Sequence, residues 1–253
     1  MTHFRVATWN LDHAYNCSRP KQLQIDQLLE YKPEIMVLTE TCEQVDLTQH
    51  GYNVVYPKSR NGYGKYWSSI WYNENAFFIK EIETANSEVA VCAQFDTVLG
   101  KLNIYGTIIA YRDFMVKQGA KPWTEHYKSI QWHGVDWLRI NQLEPNVPLL
   151  VAGDFNQTRD QSNRYSTSEG INLLSEALAQ SHLVCLTEEN FGKSGKLKVD
   201  LKKGKPRANI DHICVSKGVF SVVQVGAWDH FNGDGIYTSD HNAVFVDFDY
   251  KSR

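Results

Sequence analysis

No stretch of this chain approaches the ~20 consecutive apolar residues that a transmembrane helix needs, so a membrane-spanning helix is excluded. The first residues, Met1 to Val6, lack the apolar core of a secretory leader and run at once into a strand-like segment. The five cysteines, Cys17, Cys42, Cys92, Cys185 and Cys214, are odd in number and show no paired spacing. A disulfide scaffold and a zinc ribbon are therefore not expected. Each cysteine reads as a small buried hydrophobe, and the chain as a protein of the reducing cytoplasm. A large excess of one charge sign is also missing. The net charge of -3 over 253 residues excludes a basic wrapper of nucleic acid. The signatures GxSxG, GxxxxGK(S/T), HExxH and CxxC do not occur, and Gly62-x-Gly64 and Gly233-x-Gly235 lack a third glycine in phase, so both read as turns. Repeats, low-complexity tracts and Pro/Gly/Ser linkers are lacking as well, and residues 1–253 read as one domain.

What is present is an ordinary globular composition: 42% hydrophobic and 22% charged residues, with 12% aromatics that suit a sheet-rich core. The charge is uneven. Residues 193–207 hold Lys193, Lys196, Lys198, Lys202, Lys203, Lys205 and Arg207 against Asp200 alone, a local net of +6 that leaves the remainder at -9. An acidic body with one basic loop suggests anion capture at one place, unless the loop is simply a solvated surface segment.

Strand-like runs dominate. They cover Phe4 to Asn10, Ile35 to Thr39, Ser68 to Tyr72, Ala76 to Lys80, Glu88 to Phe95, Leu102 to Tyr111, Val147 to Gly153, Ile210 to Ser216, Val222 to Ala227 and Ala243 to Phe248. The Asn73-Glu-Asn75 and Gly100 turn signals predict hairpins. Helical spacing predicts helices over Gln22 to Tyr31, Trp123 to Gln142 and Ile171 to Ser181. Many strands with a few long helices indicate sheet layers covered by helices.

Six of these strands end in acids, amides, imidazole or, once, a phenol. Asn10 and Asp12 follow the first, Glu40 the second, and Tyr111 ends a third. Asp154 and Asn156 follow Val147–Gly153, Asp211 heads Ile210–Ser216, and Asp240 and His241 precede Ala243–Phe248. Charged groups beside apolar strands cost free energy unless they are paired or bind metal. Six such ends together read as a constructed site. Glu40, Asp12 and Asp240 are hard oxygen donors of the kind Mg²⁺ or Mn²⁺ takes. Asp154 can orient and deprotonate a water, and Asn156 can fix that water or a phosphate oxygen. His241 can contact a phosphate while a carboxylate such as Asp211 holds its tautomer. No Ser or Cys stands out as a nucleophile, which favours direct attack by water. His212 is read as structural because alternation points it away from Asp211. His126, His133 and Trp137 read as packing residues.

The segments Ala7-Thr-Trp-Asn-Leu-Asp12, Leu38-Thr-Glu40, Gly153-Asp-Phe-Asn156, Ile210-Asp-His-Ile213 and Ser239-Asp-His241 resemble the motifs of the endonuclease/exonuclease/phosphatase superfamily, in that family's order. The resemblance implies an α/β fold, a four-layer α/β/β/α sandwich of two mixed sheets (DNase I-like), with the site at one edge of the sheets. It implies Glu40 as principal Mg²⁺ ligand with Asp12 near the same ion, and Asp240 serving the metal or holding the site. Asp154 and Asn156 would position the water, with Asn10 tying Asp154 to the rest. His241 and Tyr111 would touch the phosphate, with Asp211 behind His241.

Two substrate readings stay open. A monomeric nuclease on DNA or RNA accounts for the basic loop, with Lys202, Lys203, Lys205 and Arg207 binding substrate, and for Tyr63, Tyr66, Trp67 and Trp123 as stacking platforms. A phosphatase or phosphodiesterase of small-molecule or lipid phosphates accounts for the modest pI. The run Pro206-Arg-Ala-Asn-Ile-Asp211 departs from the inositol 5-phosphatase pattern. Tyr111-Arg-Asp-Phe114 departs from the AP-endonuclease pattern, which puts abasic-site repair in doubt. A non-enzymatic binding module is disfavoured because every catalytic group is present.

Overall fold

The computed structural model describes residues 3–13, 15–162, 164–198 and 204–250. The chain runs β1 (His3–Asn10), α1 (Lys21–Tyr31), β2 (Ile35–Thr39), β3 (Asn53–Val55), β4 (Ser68–Tyr72), β5 (Ala76–Ile82), β6 (Ala90–Thr97) and β7 (Gly100–Ile108). It continues through α2 (Thr124–Leu143), β8 (Leu149–Asp154), α3 (Ser168–Gln180), β9 (Leu183–Cys185), β10 (Asp211–Ser216), β11 (Val222–Trp228) and β12 (Ala243–Asp249).

The strands form two six-stranded sheets, ordered β11-β12-β1-β2-β4-β3 and β5-β6-β7-β8-β10-β9. Both sheets carry the same pairing pattern. Each has one parallel pair at its centre, β1–β2 or β7–β8, flanked on both sides by antiparallel pairs. Each parallel pair requires a crossover, supplied by α1 in the first sheet and α2 in the second.

Both faces of the central strands are covered, which is why β2 and β8 read as unbroken apolar runs. Val6, Val37, Ile104, Leu150, Ile213 and Val246 fill the space between the sheets. Their strand neighbours point outward. Trp9, Met36 and Phe245 meet Leu28 of α1, whereas Tyr105 and Val151 meet Trp137 of α2 and Leu174 of α3. The result is the expected four-layer α/β/β/α sandwich. Helices α2 and α3 approach so closely that a Cβ on Gly134 would lie 2.7 Å from that of Ala177.

Local chemistry explains the helix ends. Thr167 caps α3 by accepting from Gly170 N at 3.0 Å, and Lys32 ends α1 in the left-handed region just before Pro33.

Four expectations are corrected. Cys17 and Cys42 form a disulfide, so two of the five cysteines are not lone hydrophobes; Cys92, Cys185 and Cys214 are free and buried. The cysteine argument for a reducing compartment falls with that pairing. The Asn73-Glu-Asn75 turn makes no hairpin, because β4 pairs with β2 and β3 while β5 pairs with β6 in the other sheet. The Gly100 hairpin, β6 to β7, is present. Tyr111 does not end a strand: β7 stops at Ile108, and Tyr111 lies in the loop beyond it. The three-residue strands β3 and β9 are too short to show a periodicity in sequence.

Candidate active site

Topology brings the polar strand ends together. Strands β1 and β2 run parallel and finish at one end of the sandwich, as do β7 and β8. Strands β10 and β12 run antiparallel to β8 and β1, so they begin at that end. Asn10, Glu40, Asp154, Asp211 and His241 therefore converge although the first and last lie more than two hundred residues apart.

The floor of the site is a closed hydrogen-bond network. Asn10 Nδ2 donates to Glu40 Oε1 and to Asp154 Oδ2, both at 3.1 Å. Asn156 donates to Asp154 twice, from its backbone N to Oδ1 and from Nδ2 to Oδ2, each at 2.8 Å, and Nδ2 also reaches Ile109 O at 2.9 Å. His241 Nδ1 lies 2.6 Å from Asp211 Oδ2. The chain around His241 is pinned as well. Ser239 Oγ donates to Asn10 O at 2.6 Å and accepts from His241 N at 2.9 Å, and Trp9 Nε1 donates to His241 O at 2.9 Å.

Backbone conformation serves this arrangement. Asp12, Glu40 and Asn156 hold φ of 56°, 48° and 49°, a left-handed region that costs non-glycine residues roughly 1 kcal/mol or more. Each lies just past a strand end, where the turn swings its side chain into the site. Gly153, with φ 144°, is required at its place, since a Cβ there would sit 1.8 Å from Thr107 O on the neighbouring strand.

The electrostatics follow from the company of acids. Burial pushes the Asp154 carboxyl up to about 8; His241 opposes that shift, and Asp211 and Glu40 add to it. Burial raises Glu40 too, against the hydrogen bond from Asn10. Burial disfavours a charged His241, yet Asp211 and Asp154 together hold its imidazolium well above the ordinary histidine range. Partial burial and the charge of Asp240 raise Asp12, while Arg19 counters them.

Toward solvent, acids are paired with arginines. Arg19 holds Asp12, and Arg207 Nη2 lies 3.3 Å from Asp240 Oδ2, whose other oxygen is 3.7 Å from His241 Nε2. Lys205, Arg207 and Arg164 line a recess of about 430 Å³ whose floor is Asp154, Asn156 and His241. Tyr111 lines this recess from the loop after β7. Of the expected basic residues, Lys205 and Arg207 thus reach the site, whereas Lys202 and Lys203 lie outside the described residues. Lys196 turns elsewhere, to Glu189 and Val225 O.

The donor set fits a hard divalent cation. Glu40, Asp154 and Asp211 place three carboxylates around one imidazole, Asp211 Oδ1 is buried without a hydrogen-bond partner, and Asp12 and Asp240 stand at the edge. Asp154, Asp211 and His241 also bring ligand atoms within 4.8 Å of one another. Within this trio His241 Nδ1 is engaged by Asp211.

Several residues of the site carry no sequence signal. Arg164 lines the recess and donates to Pro206 O at 3.1 Å. His126 is buried, as expected of a packing group, but it also spans Ala110 O at 2.7 Å and Gln157 Oε1 at 3.1 Å, joining the Tyr111 loop to the one after Asn156. His212 is structural, set between Thr187 Oγ1 and Gln157 O. Trp123 and Tyr66 are spent on Tyr165 and Tyr56 respectively, whereas Tyr63 and Trp67 face a cleft beside the site.

Two pseudo-equivalent sheets in a four-layer sandwich, closed at one end by acids, amides and an Asp–His pair, define the DNase I-like class of fold. The chain belongs to the endonuclease/exonuclease/phosphatase family, whose pattern matches residues 7–241. No curated protein sequence matches it significantly. Among solved structures, it is similar to the human Nocturnin catalytic domain with bound sulfate anion, with a TM-score of 0.68 at 19% identity over 98% of this chain and 95% of that one. The D. rerio TDP2 complexed with single strand DNA product gives 0.69 at 14% identity, over 98% and 100%. The endonuclease domain of TRAS1, a telomere-specific non-LTR retrotransposon, gives 0.68 at 14%, over 99% and 100%. At these identities the likeness concerns the fold.

Proposed function

We propose that this protein is a Mg²⁺- or Mn²⁺-dependent phosphodiesterase, a nuclease acting on DNA or RNA by direct attack of water. The observation that carries the reading is the position of Asp154. It is fixed by the amides of Asn10 and Asn156, faces the His241–Asp211 pair, and lies at the floor of a recess with a basic wall. A carboxylate held so firmly can orient a water and take its proton. Asn156 positions Asp154 through both its backbone N–H and its side-chain amide. His241, kept charged by Asp211, donates to a non-bridging phosphate oxygen, and Tyr111 closes over the same group.

Glu40, with Asp12 and Asp240 beside it, would hold the divalent cation. Such a cation would supply charge neutralisation at the phosphate and the departing oxygen. Lys205 and Arg207 attract the phosphate-bearing chain, and Lys202 and Lys203 extend the same basic segment. Nuclease activity is favoured over hydrolysis of small phosphate esters by this basic wall, which can engage phosphates beyond the scissile one.

The test is hydrolysis of bis-p-nitrophenyl phosphate with and without Mg²⁺, followed by a panel of single-stranded DNA, RNA, plasmid and phosphoinositides at fixed salt. Metal-dependent turnover with preference for nucleic acid is expected. Equal turnover in a chelator, or full turnover by Asp154→Ala, would reject the mechanism.

A further inference from the structure

The recess with the basic wall is only half of the space around the catalytic groups. On the other side of Glu40 and Tyr111 opens a larger cleft of about 770 Å³. Six aromatic side chains line it: Tyr15, Tyr63, Trp67, Tyr111, Phe114 and Trp132. They are not folded into a core. Tyr63 is 61% exposed, Tyr15 55%, and Tyr111 and Phe114 38% each. Tyr15 and Tyr63 meet edge to face at 4.9 Å, as do Tyr111 and Phe114 at 5.7 Å, which leaves ring faces open to the cleft. A cluster of this size left in water marks a binding surface.

The cleft is acidic, whereas the recess carries both signs, with Arg164, Lys205 and Arg207 set against Glu40, Asp154 and Asp240. Asp12, Glu40, Glu88 and Glu125 line it, and the cation among its lining residues, Lys128, is tied to Glu125 at 2.7 Å. Phosphates would be repelled there, whereas the Arg164, Lys205 and Arg207 wall attracts them. A polyanion crossing the site in both directions is therefore poorly matched.

Building on the phosphoesterase reading, we infer that the cleft takes a planar, uncharged ring on one arm of the scissile phosphoester, while phosphates of the other arm lie along the basic wall. The substrate class is an ester whose last group is a nucleoside or an aryl alcohol. On a nucleic acid this makes the enzyme end-directed, with one terminal base between the aromatic residues and the rest of the strand on the basic side. Because bases stack on aromatic side chains, loss of the platform should cost about tenfold in affinity.

The test compares binding of methyl phosphate, phenyl phosphate and thymidine 5′-monophosphate by calorimetry, for the native chain and for Tyr63→Ala/Phe114→Ala. These exposed residues are outside the catalytic groups, and an unchanged melting temperature will show that the fold holds. Phenyl or thymidine esters should bind at least about tenfold more tightly than methyl phosphate, and the double variant should erase that gap while leaving methyl phosphate unaffected. A gain for both esters assigns a general ring site; a gain for one assigns the nucleoside or the aryl alcohol. Equal affinity of all three for the native chain, or a gap that survives the double variant, overturns the inference. A single-stranded oligonucleotide should lose terminal residues first; internal bonds cut at equal rates would also overturn it. Because binding is read separately from turnover, failure to hydrolyse bis-p-nitrophenyl phosphate would remove the catalytic reading and leave the cleft on its own evidence.

Discussion

The two sheets repeat one strand pattern, yet their crossovers deliver different chemistry to the site. In the first sheet, β1-α1-β2 ends on Asn10, Asp12 and Glu40, and the turns beyond carry partly exposed acids, an arginine partner at Arg19 and the Cys17–Cys42 disulfide. In the second sheet, β7-α2-β8 ends near Tyr111 and on Asp154 and Asn156, above a dry layer of His126, His133, Tyr105 and Trp137. The same geometry is thus stabilised by a covalent and ionic collar on one side and by buried hydrogen bonds on the other. A wet collar suits a site that exchanges a cation with solvent. A dry scaffold suits a group that must hold one water in one orientation.

The widest separation between the halves should appear when each loses its leading carboxylate. Asp154→Ala is expected to reduce turnover at least about a thousandfold at every Mg²⁺ concentration, because positioning of the water is lost outright. Glu40→Gln should reduce turnover about a hundredfold at low Mg²⁺ and regain part of it as Mg²⁺ is raised, because a ligand is weakened while Asp154 stays in place. Turnover measured across a Mg²⁺ titration checks both. Rescue of Asp154→Ala by metal, or none for Glu40→Gln, would erase the division of labour.

A smaller effect addresses the collar alone. Cys17 lies five residues beyond Asp12, and Cys42 lies two beyond Glu40, so their bond joins the two turns that present these acids. Closing a loop of 25 residues is worth roughly 3 kcal/mol in the chain-entropy view. Reduction, or Cys17→Ser with Cys42→Ser, should lower the melting temperature and raise the Mg²⁺ concentration needed for half-maximal turnover several-fold. Turnover at saturating Mg²⁺ should change by less than about twofold, since the second half is untouched. A metal requirement that does not move would show that the first half needs no such tie.

How much of this was legible in sequence also differs between halves, and for a physical reason. Glu40, Asp154, Asn156, Asp211 and His241 were legible because each follows or heads an apolar strand, a local pattern, and the topology needed only to align the ends. The Cys17–Cys42 bond was not, because it depends on the β1–β2 pairing rather than on spacing. Tyr111 was placed on a strand because Ile108, Ile109 and Ala110 continue its apolar run, although β7 has ended; Ile109 N instead bonds Asp154 O. Arg164 lies in a polar stretch that has no periodicity to read. The basic wall of the recess and the acids of the aromatic cleft come from loops distant in sequence, so composition averages them away.

The buried layer beneath the second sheet carries a liability that acid should expose. His133 is fully buried against Tyr105, with Nδ1 3.0 Å from the Tyr105 hydroxyl and Nε2 2.9 Å from Thr107 Oγ1. The carboxylate of Asp136 is engaged by the same Tyr105 hydroxyl and by Arg139, so it offers His133 no direct counter-ion. Burial therefore holds the His133 imidazole down at about 3. Unfolding frees the ring to take a proton near its ordinary value of about 6.5. Between those two values the unfolded chain binds a proton that the folded chain excludes, so stability rises with pH and is lost as pH falls below about 6.5. The contribution is roughly 2 kcal/mol by pH 5, at about 1.4 kcal/mol per unit. His133→Gln should be less stable than the native chain at pH 8, because two buried hydrogen bonds are disturbed. It should lose less on acidification from pH 7 to 5. Urea midpoints at the two pH values measure both terms, and an equal loss in variant and native chain would place the acid sensitivity elsewhere than beneath β7.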